Sequence, residues 1–178
     1  MLNYRTLTNR LILSIVSGAL IIPLSYLESF DLPQIYSISM IDILIGTTFA
    51  LLVMVPFQNR INWLKAIIMI VASIAIYVGV ANLAVSNYKP LSLNLSYTTS
   101  IITSGTIGAL LTGLAVQFIA PFALAKKAYV VLIIAGSIAG LIFSYTIQSS
   151  NIFINAIGFI VWQSMVCFSI YSCKKQTT

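Results

Sequence analysis

Six apolar stretches, each of roughly 20 residues, alternate along this chain with short polar segments, and that alternation limits what the chain can fold into. The basic residues follow it. Arg5 and Arg10 precede the first stretch, Arg60 and Lys65 separate the second from the third, Lys126 and Lys127 separate the fourth from the fifth, and Lys174 and Lys175 follow the sixth. Eight of the nine lysines and arginines therefore fall on one side of the series, leaving Lys89 alone on the other. Loops retained in the cytoplasm carry such an excess of lysine and arginine. The expected fold class is an all-α integral membrane protein. It is a six-transmembrane-helix bundle with both termini in the cytoplasm, short loops and no soluble domain.

Composition agrees. The chain of 178 residues is 60% hydrophobic and only 7% charged, whereas a soluble domain carries about 25% charged residues. A single membrane domain is expected over 1–178, with helices at about 11–26, 40–57, 66–85, 98–124, 128–147 and 152–171. Glu28 and Asp31, two of the three acidic residues, then lie on the outer side. Ser86 to Ser96 forms the longest outer loop. The first stretch has a basic leader, but Ser25-Tyr26-Leu27-Glu28 offers no small-x-small cleavage site, so it reads as an uncleaved crossing. The expected location is the inner (cytoplasmic) membrane, multi-pass, where Asn94-Leu95-Ser96 is no glycosylation acceptor.

The formal charge of +6 comes in pairs at helix ends and forms no basic block, which argues for topology rather than nucleic-acid binding. Cys167 and Cys173 fall in and just after the last helix, on the reducing side, and read as apolar filler and a free thiol.

Lipid provides no hydrophobic drive between helices, so small residues that permit close approach mark packed faces. Gly136, Gly140 and Ser144 recur at four-residue spacing in the fifth helix. Gly18 lies on one face of the first helix with Ser14 and Ser25, and Gly79 lies on one face of the third with Ala75 and Asn82. All are expected to pack. The fourth helix differs. At 100° per residue, Thr99, Thr103, Thr106, Gly113 and Gln117 share a stripe about 80° wide, opposite a small-residue face of Ser104, Gly108, Thr112 and Ala115. Small residues on both sides predict a central position for this helix. Its hydroxyls either bond back to their own backbone or line a polar cavity.

Asp42 is the only acidic residue within an apolar stretch. A carboxylate at the centre of a bilayer costs about 2.5–3.5 kcal/mol, so such residues are candidates for function. Asp42 is nevertheless near the expected outer end of its helix, where the helix dipole favours a negative charge. Asn82, Asn155, Gln163 and Gln117 are amides that need partners inside the bundle, and Trp162 either plugs the bundle or meets a ligand.

Several chemistries are absent from the sequence. The chain contains no histidine, no carboxylate pair to hold Mg²⁺ for phosphoryl transfer and no phosphate-gripping glycine-rich loop with lysine. Histidine-based metal or haem ligation, serine–histidine proteolysis and ATP hydrolysis therefore lack their residues. No enzyme activity, metal or cofactor is expected. Two functions remain. One is binding or translocation of a small solute or ion through a polar cavity centred on the fourth helix, with Asp42, Thr99, Thr103, Thr106, Gln117, Asn82 and Asn155 as contacts. The other is a non-catalytic accessory or scaffold subunit of a larger membrane complex. The expected partners are the lipid bilayer with a solute or ion in the first case, and a membrane protein or a second copy in the other. In architecture alone, six helices with both ends inside and no soluble domain resemble the membrane substrate-capture subunits of energy-coupled vitamin importers.

Overall fold

A computed structural model of the chain describes residues 7–19, 34–35, 38–55, 57, 61–85, 97–120, 124–146 and 151–173. Among these described residues, six helices run in order: α1 (Leu7–Ala19), α2 (Met40–Met54), α3 (Trp63–Val85), α4 (Tyr97–Ile119), α5 (Lys127–Thr146) and α6 (Ile152–Ser172). A short antiparallel pair, β1 (Gln34–Ile35) and β2 (Ile38–Ser39), matches Gln34 to Ser39 and Ile35 to Ile38 directly before α2. This pair is an addition to the all-helical expectation.

Several helix ends have visible causes. Asn62 precedes α3 and its side-chain oxygen accepts from the Lys65 amide at 3.0 Å, so α3 starts at Trp63, three residues earlier than expected. Asn151 caps α6 in the same way, accepting from the Phe153 amide at 2.9 Å. The fourth helix was expected to reach residue 124 and instead ends at Ile119. Pro121, two residues on, has no amide hydrogen to continue the ladder. The Gln117 side-chain oxygen then accepts from the Leu124 amide at 3.1 Å, satisfying a donor beyond the helix end. The first helix begins at Leu7 rather than residue 11 and is described as far as Ala19.

Among the described residues, α3, α4 and α5 are each long and apolar enough to cross a membrane. Apolar stretches of α2 and α6, Asp42–Met54 and Ala156–Ser172, are shorter. Large apolar side chains stand exposed on all six helices, from Leu11 and Ile15 on α1 through Val71, Leu114 and Ile134 to Phe153 on α6. Water-soluble proteins rarely expose contiguous apolar surface on this scale, and the chain is a membrane protein.

Helices pack in chain order, α2 on α3, α3 on α4, α4 on α5 and α5 on α6, and α1 returns to lie against α6. Packing is closest between α4 and α5, where Gly105 faces Gly136 and Gly140. A methyl group at Gly136 would sit 2.7 Å from the Gly105 carbonyl oxygen, and one at Gly140 would sit 2.9 Å from the Ile102 Cα. The same pair is linked at Thr106 and Ser137, whose hydroxyl oxygens are 2.8 Å apart. Contacts of Gly113 with Leu132 and of Ile102 with Gly140 run the two helices antiparallel.

The most completely buried core gathers Val53 of α2, Phe57 just after that helix, Met69, Ile119, Leu132 and Tyr171. At this end the Tyr171 hydroxyl donates to the Leu52 carbonyl, and the Ala125 amide donates to the Cys173 carbonyl at 3.0 Å. The turn bearing Lys126 thus lies against the end of α6. Toward the opposite end the core is thinner, with Ile45 and Ala156 buried beside Tyr77, Phe159 and Ile160.

The expected central place of α4 is corrected. Its two small faces meet its ring neighbours α3 and α5, while Ile107, Leu111, Leu114 and Phe118 form a third, exposed stripe. The helix that touches most of the bundle is α6, which meets α5 and α1 extensively and also reaches α2 and α4.

Candidate functional site: an apolar groove between α3 and α6

The thinner end of the bundle opens into a groove of about 100 Å³ among α3, α4, α5 and α6. Aliphatic residues Ile76, Val80 and Ala84 of α3 and Ile101 of α4 form one side. Four rings complete it: Tyr77, Phe143, Phe159 and Trp162. Phe143 and Phe159 are tilted at 4.5 Å between centroids, and Tyr77 and Phe159 at 6.1 Å, distances at which aromatic rings attract one another. The Trp162 indole donates to the Gly105 carbonyl at 3.0 Å, which fixes the ring at the junction of α4 and α6. Its other neighbour is Phe49 on α2, at 5.6 Å.

Small residues make room for this wall. A methyl group at Gly108 would come 3.0 Å from the Trp162 ring, and one at Gly158 would collide with Phe143 and the Thr146 hydroxyl. Gly158 thereby sets the close approach of α5 and α6 that brings Phe143 against Phe159. The lining is almost wholly apolar. Among the described lining residues the one hydroxyl-bearing aliphatic is Ser104, which is 1% exposed and whose oxygen is buried without a hydrogen-bond partner.

A second, much smaller pocket, of about 10 Å³, adjoins the groove and shares Ile76, Tyr77 and Trp162 with it. Ser73, Thr112 and Gln163 are among its lining residues.

The polar residues singled out by sequence are placed elsewhere. Thr103 donates to the Thr99 carbonyl and Thr106 to the Ile102 carbonyl, both at 2.8 Å, so these hydroxyls are bonded within their own helix. Gln117 is engaged at the end of α4, as above. Asn82 is exposed and donates to the Val78 carbonyl at 2.8 Å. Asp42 is half-buried in the first turn of α2, where a carboxylate interacts favourably with the helix dipole. None of Asp42, Thr99, Thr103, Thr106, Gln117 and Asn82 lines the groove. Asn155 lies in α6 and Gly18 in α1, but the surroundings of their side-chain positions fall outside the described residues, as do Arg5, Arg60, Lys89, Lys174 and Lys175.

Among the small residues, Gly136, Gly140 and Ser144 are buried, and Gly140 also lines the groove. Gly79, expected to pack, is exposed, and nothing lies within 4 Å of a methyl group built there. Its turn of α3 is left uncovered by the ring order, since α2 and α4 occupy other faces. Sequence reasoning missed Tyr77, Phe143 and Phe159. They lie on three different helices, and no spacing along the chain brings them together. Neither cysteine forms a disulfide, and both are buried. Burial raises the Cys173 thiol above its ordinary pKa, with Lys127 pulling it partly back.

No family model, curated protein or solved structure matches the chain, so a functional reading rests on this geometry.

Proposed function

We propose that the protein spans the cytoplasmic membrane six times with both ends inside, and that its α3–α6 groove binds a small apolar molecule or a short length of acyl chain. One observation carries the ligand class: the cavity is walled by four aromatic rings and aliphatic side chains. A buried apolar cavity of about 150 Å³ is known to take up benzene, and the groove, at about 100 Å³, is smaller but of the same order, a size for a few chain carbons or a ring lodged part-way in it. A polar solute or an ion is less well served, because the hydroxyls of Thr103 and Thr106 already have partners.

The topology is supported by the gathering of Lys126, Lys127 and the end of α6 at one end of the bundle. With that end inside, the groove belongs to the outer half of the membrane. The tightly packed core at the basic end favours binding over free passage through the bundle.

The chain has two tryptophans, so Trp63→Phe leaves Trp162, beside the groove, as the sole tryptophan, excited selectively over the tyrosines at long wavelength. Brominated benzene and a brominated-chain fatty acid, titrated separately into protein in unbrominated nanodiscs, distinguish the two sources of ligand. Saturable quenching that disappears in Ala81→Phe, which fills the groove, is the expected result. Linear, unsaturable quenching by both compounds, unchanged in Ala81→Phe, refutes binding there.

The accessory-subunit reading retains one specific observation. Ala75, Gly79 and Asn82 are all exposed on α3, and Gly79 is open to close approach by another helix. If this is the working surface, Gly79→Leu disperses a complex purified in mild detergent while quenching of Trp162 stays intact.

A further inference from the structure

The small pocket beside the groove is mostly apolar, but three hydrogen-bonding side chains from three different helices, Ser73, Thr112 and Gln163, take part in its lining. It lies at the junction of four helices. Gly46 and Phe49 come from α2, Ser73 from α3, Thr112 from α4, and Trp162 and Gln163 from α6. Gln163 is 3% exposed, Ser73 4% and Thr112 2%, so three hydrogen-bonding side chains sit inside the bundle, away from both ends of their helices.

Their bonding capacity is not spent on one another. The Thr112 hydroxyl donates to the Gly108 carbonyl at 2.8 Å, which leaves its oxygen lone pairs available as acceptors. The Ser73 hydroxyl oxygen is buried with no hydrogen-bond partner, although serine in a helix ordinarily bonds back to the preceding turn. Gln163 adds two donors and an acceptor. Polar groups buried in a membrane protein are costly unless satisfied, and here they surround a common space.

That space is about 10 Å³, the lower limit for one water molecule and far too small for an organic ligand. Among the described lining residues none carries a charge. A metal cation would therefore meet only neutral oxygens, with no carboxylate to offset its desolvation. We propose that the pocket is a binding site for a single water molecule, held by Ser73, Thr112 and Gln163, which ties α3, α4 and α6 together behind Trp162. The water donates to the Thr112 oxygen and to the amide oxygen of Gln163, and accepts from Ser73. Each of these three bonds runs in a sense its donor and acceptor allow.

This inference stands apart from the ligand proposed for the groove, since the water site is complete whether or not the groove is filled. Two measurements test it. Magnetisation transfer from water to the Gln163 side-chain amide of the intact protein in nanodiscs detects a resident water directly, without any substitution. A cross-peak is expected, and its absence overturns the proposal. The second is a double-mutant cycle in thermal unfolding using Ser73→Ala and Gln163→Met. A wet pocket makes each substitution lower the melting temperature and makes the pair less damaging than the sum, because either one breaks the shared bridge. A dry pocket makes both substitutions raise the melting temperature, because each removes an unsatisfied polar group. Opposite signs separate the two outcomes.

Discussion

Adding one methyl group to a glycine has opposite consequences at two positions of this bundle. At Gly136 the new Cβ would lie 2.7 Å from the Gly105 carbonyl oxygen, 2.8 Å from the Ala109 Cβ and 2.9 Å from the Thr106 Cα. Two of these atoms are backbone, and none is the free end of a flexible side chain. Relief therefore requires α4 and α5 to separate, which also stretches the 2.8 Å contact between the Thr106 and Ser137 hydroxyls. Overpacking of this kind costs about 1–3 kcal/mol, and rigid neighbours put Gly136→Ala in the upper part of that range. Replacing glycine by alanine in a helix interior returns about 0.8–1.0 kcal/mol. The net expectation is a loss of about 1–2 kcal/mol, or roughly 5- to 30-fold in the folding equilibrium. Gly79→Ala has the same propensity gain and nothing within 4 Å to oppose it, so it is expected to stabilise by up to about 1 kcal/mol. Reversible unfolding by SDS in mixed micelles, followed by circular dichroism, compares the two variants with the parent. If Gly136→Ala is as stable as Gly79→Ala, the close α4–α5 contact is not what holds these helices together, and the packing argument fails.

Three other outcomes are expected. Trp162→Phe removes the indole bond to the Gly105 carbonyl and should cost about 0.5–1.5 kcal/mol in the same unfolding assay, while Trp63→Phe, whose ring is exposed, should cost less. Thr103→Val should leave ligand quenching of Trp162 unchanged, because the Thr103 hydroxyl is bonded to Thr99 and lies off the groove. Maleimide labelling of Cys173 should be slow at neutral pH and keep accelerating above pH 9.0, the ordinary value, where a free thiol has begun to level off, because burial holds the folded thiol protonated to higher pH. The same sign applies to stability. The contribution from the protonated thiol is complete below its ordinary value and is lost as pH rises through the raised folded value.

The helices were legible in the sequence for a simple reason. A run of apolar residues has no internal competitor for its backbone in lipid, so length and hydropathy alone define α3, α5 and α6 to within three residues at each end. Ends were less legible, because they depend on single side chains reaching back to the backbone. Asn62 and Asn151 set two helix starts and Gln117 helps close α4, yet the apolar pattern weighs these residues like any other polar residue. Small residues were legible as close contacts in α5, where Gly136 and Gly140 meet α4. The same rule missed Gly46 and Gly158, whose partners Ile74 and Phe143 are large. It also placed Gly79 in a contact that the ring order leaves open.

The site was harder to read because polarity pointed away from it. In a membrane helix a lone hydroxyl is most cheaply satisfied by the carbonyl one turn earlier, and Thr103, Thr106, Thr112 and Ser169 all bond in that way. A hydroxyl stripe therefore reports local bonding as readily as a cavity. The informative exceptions are Ser73 and Ser104, which sit on packed faces without such a bond and border the two pockets. They look no different in sequence from the residues that do bond back, since whether a serine turns to its own helix depends on neighbours from other helices. The aromatic wall has the same origin. Tyr77, Phe143, Phe159 and Trp162 are separated by up to 85 positions, yet the glycines at 105, 108 and 158 let three helices close around them. In this chain the groove is made by where backbones approach, and the hydroxyls along α4 mainly bond back to their own helix.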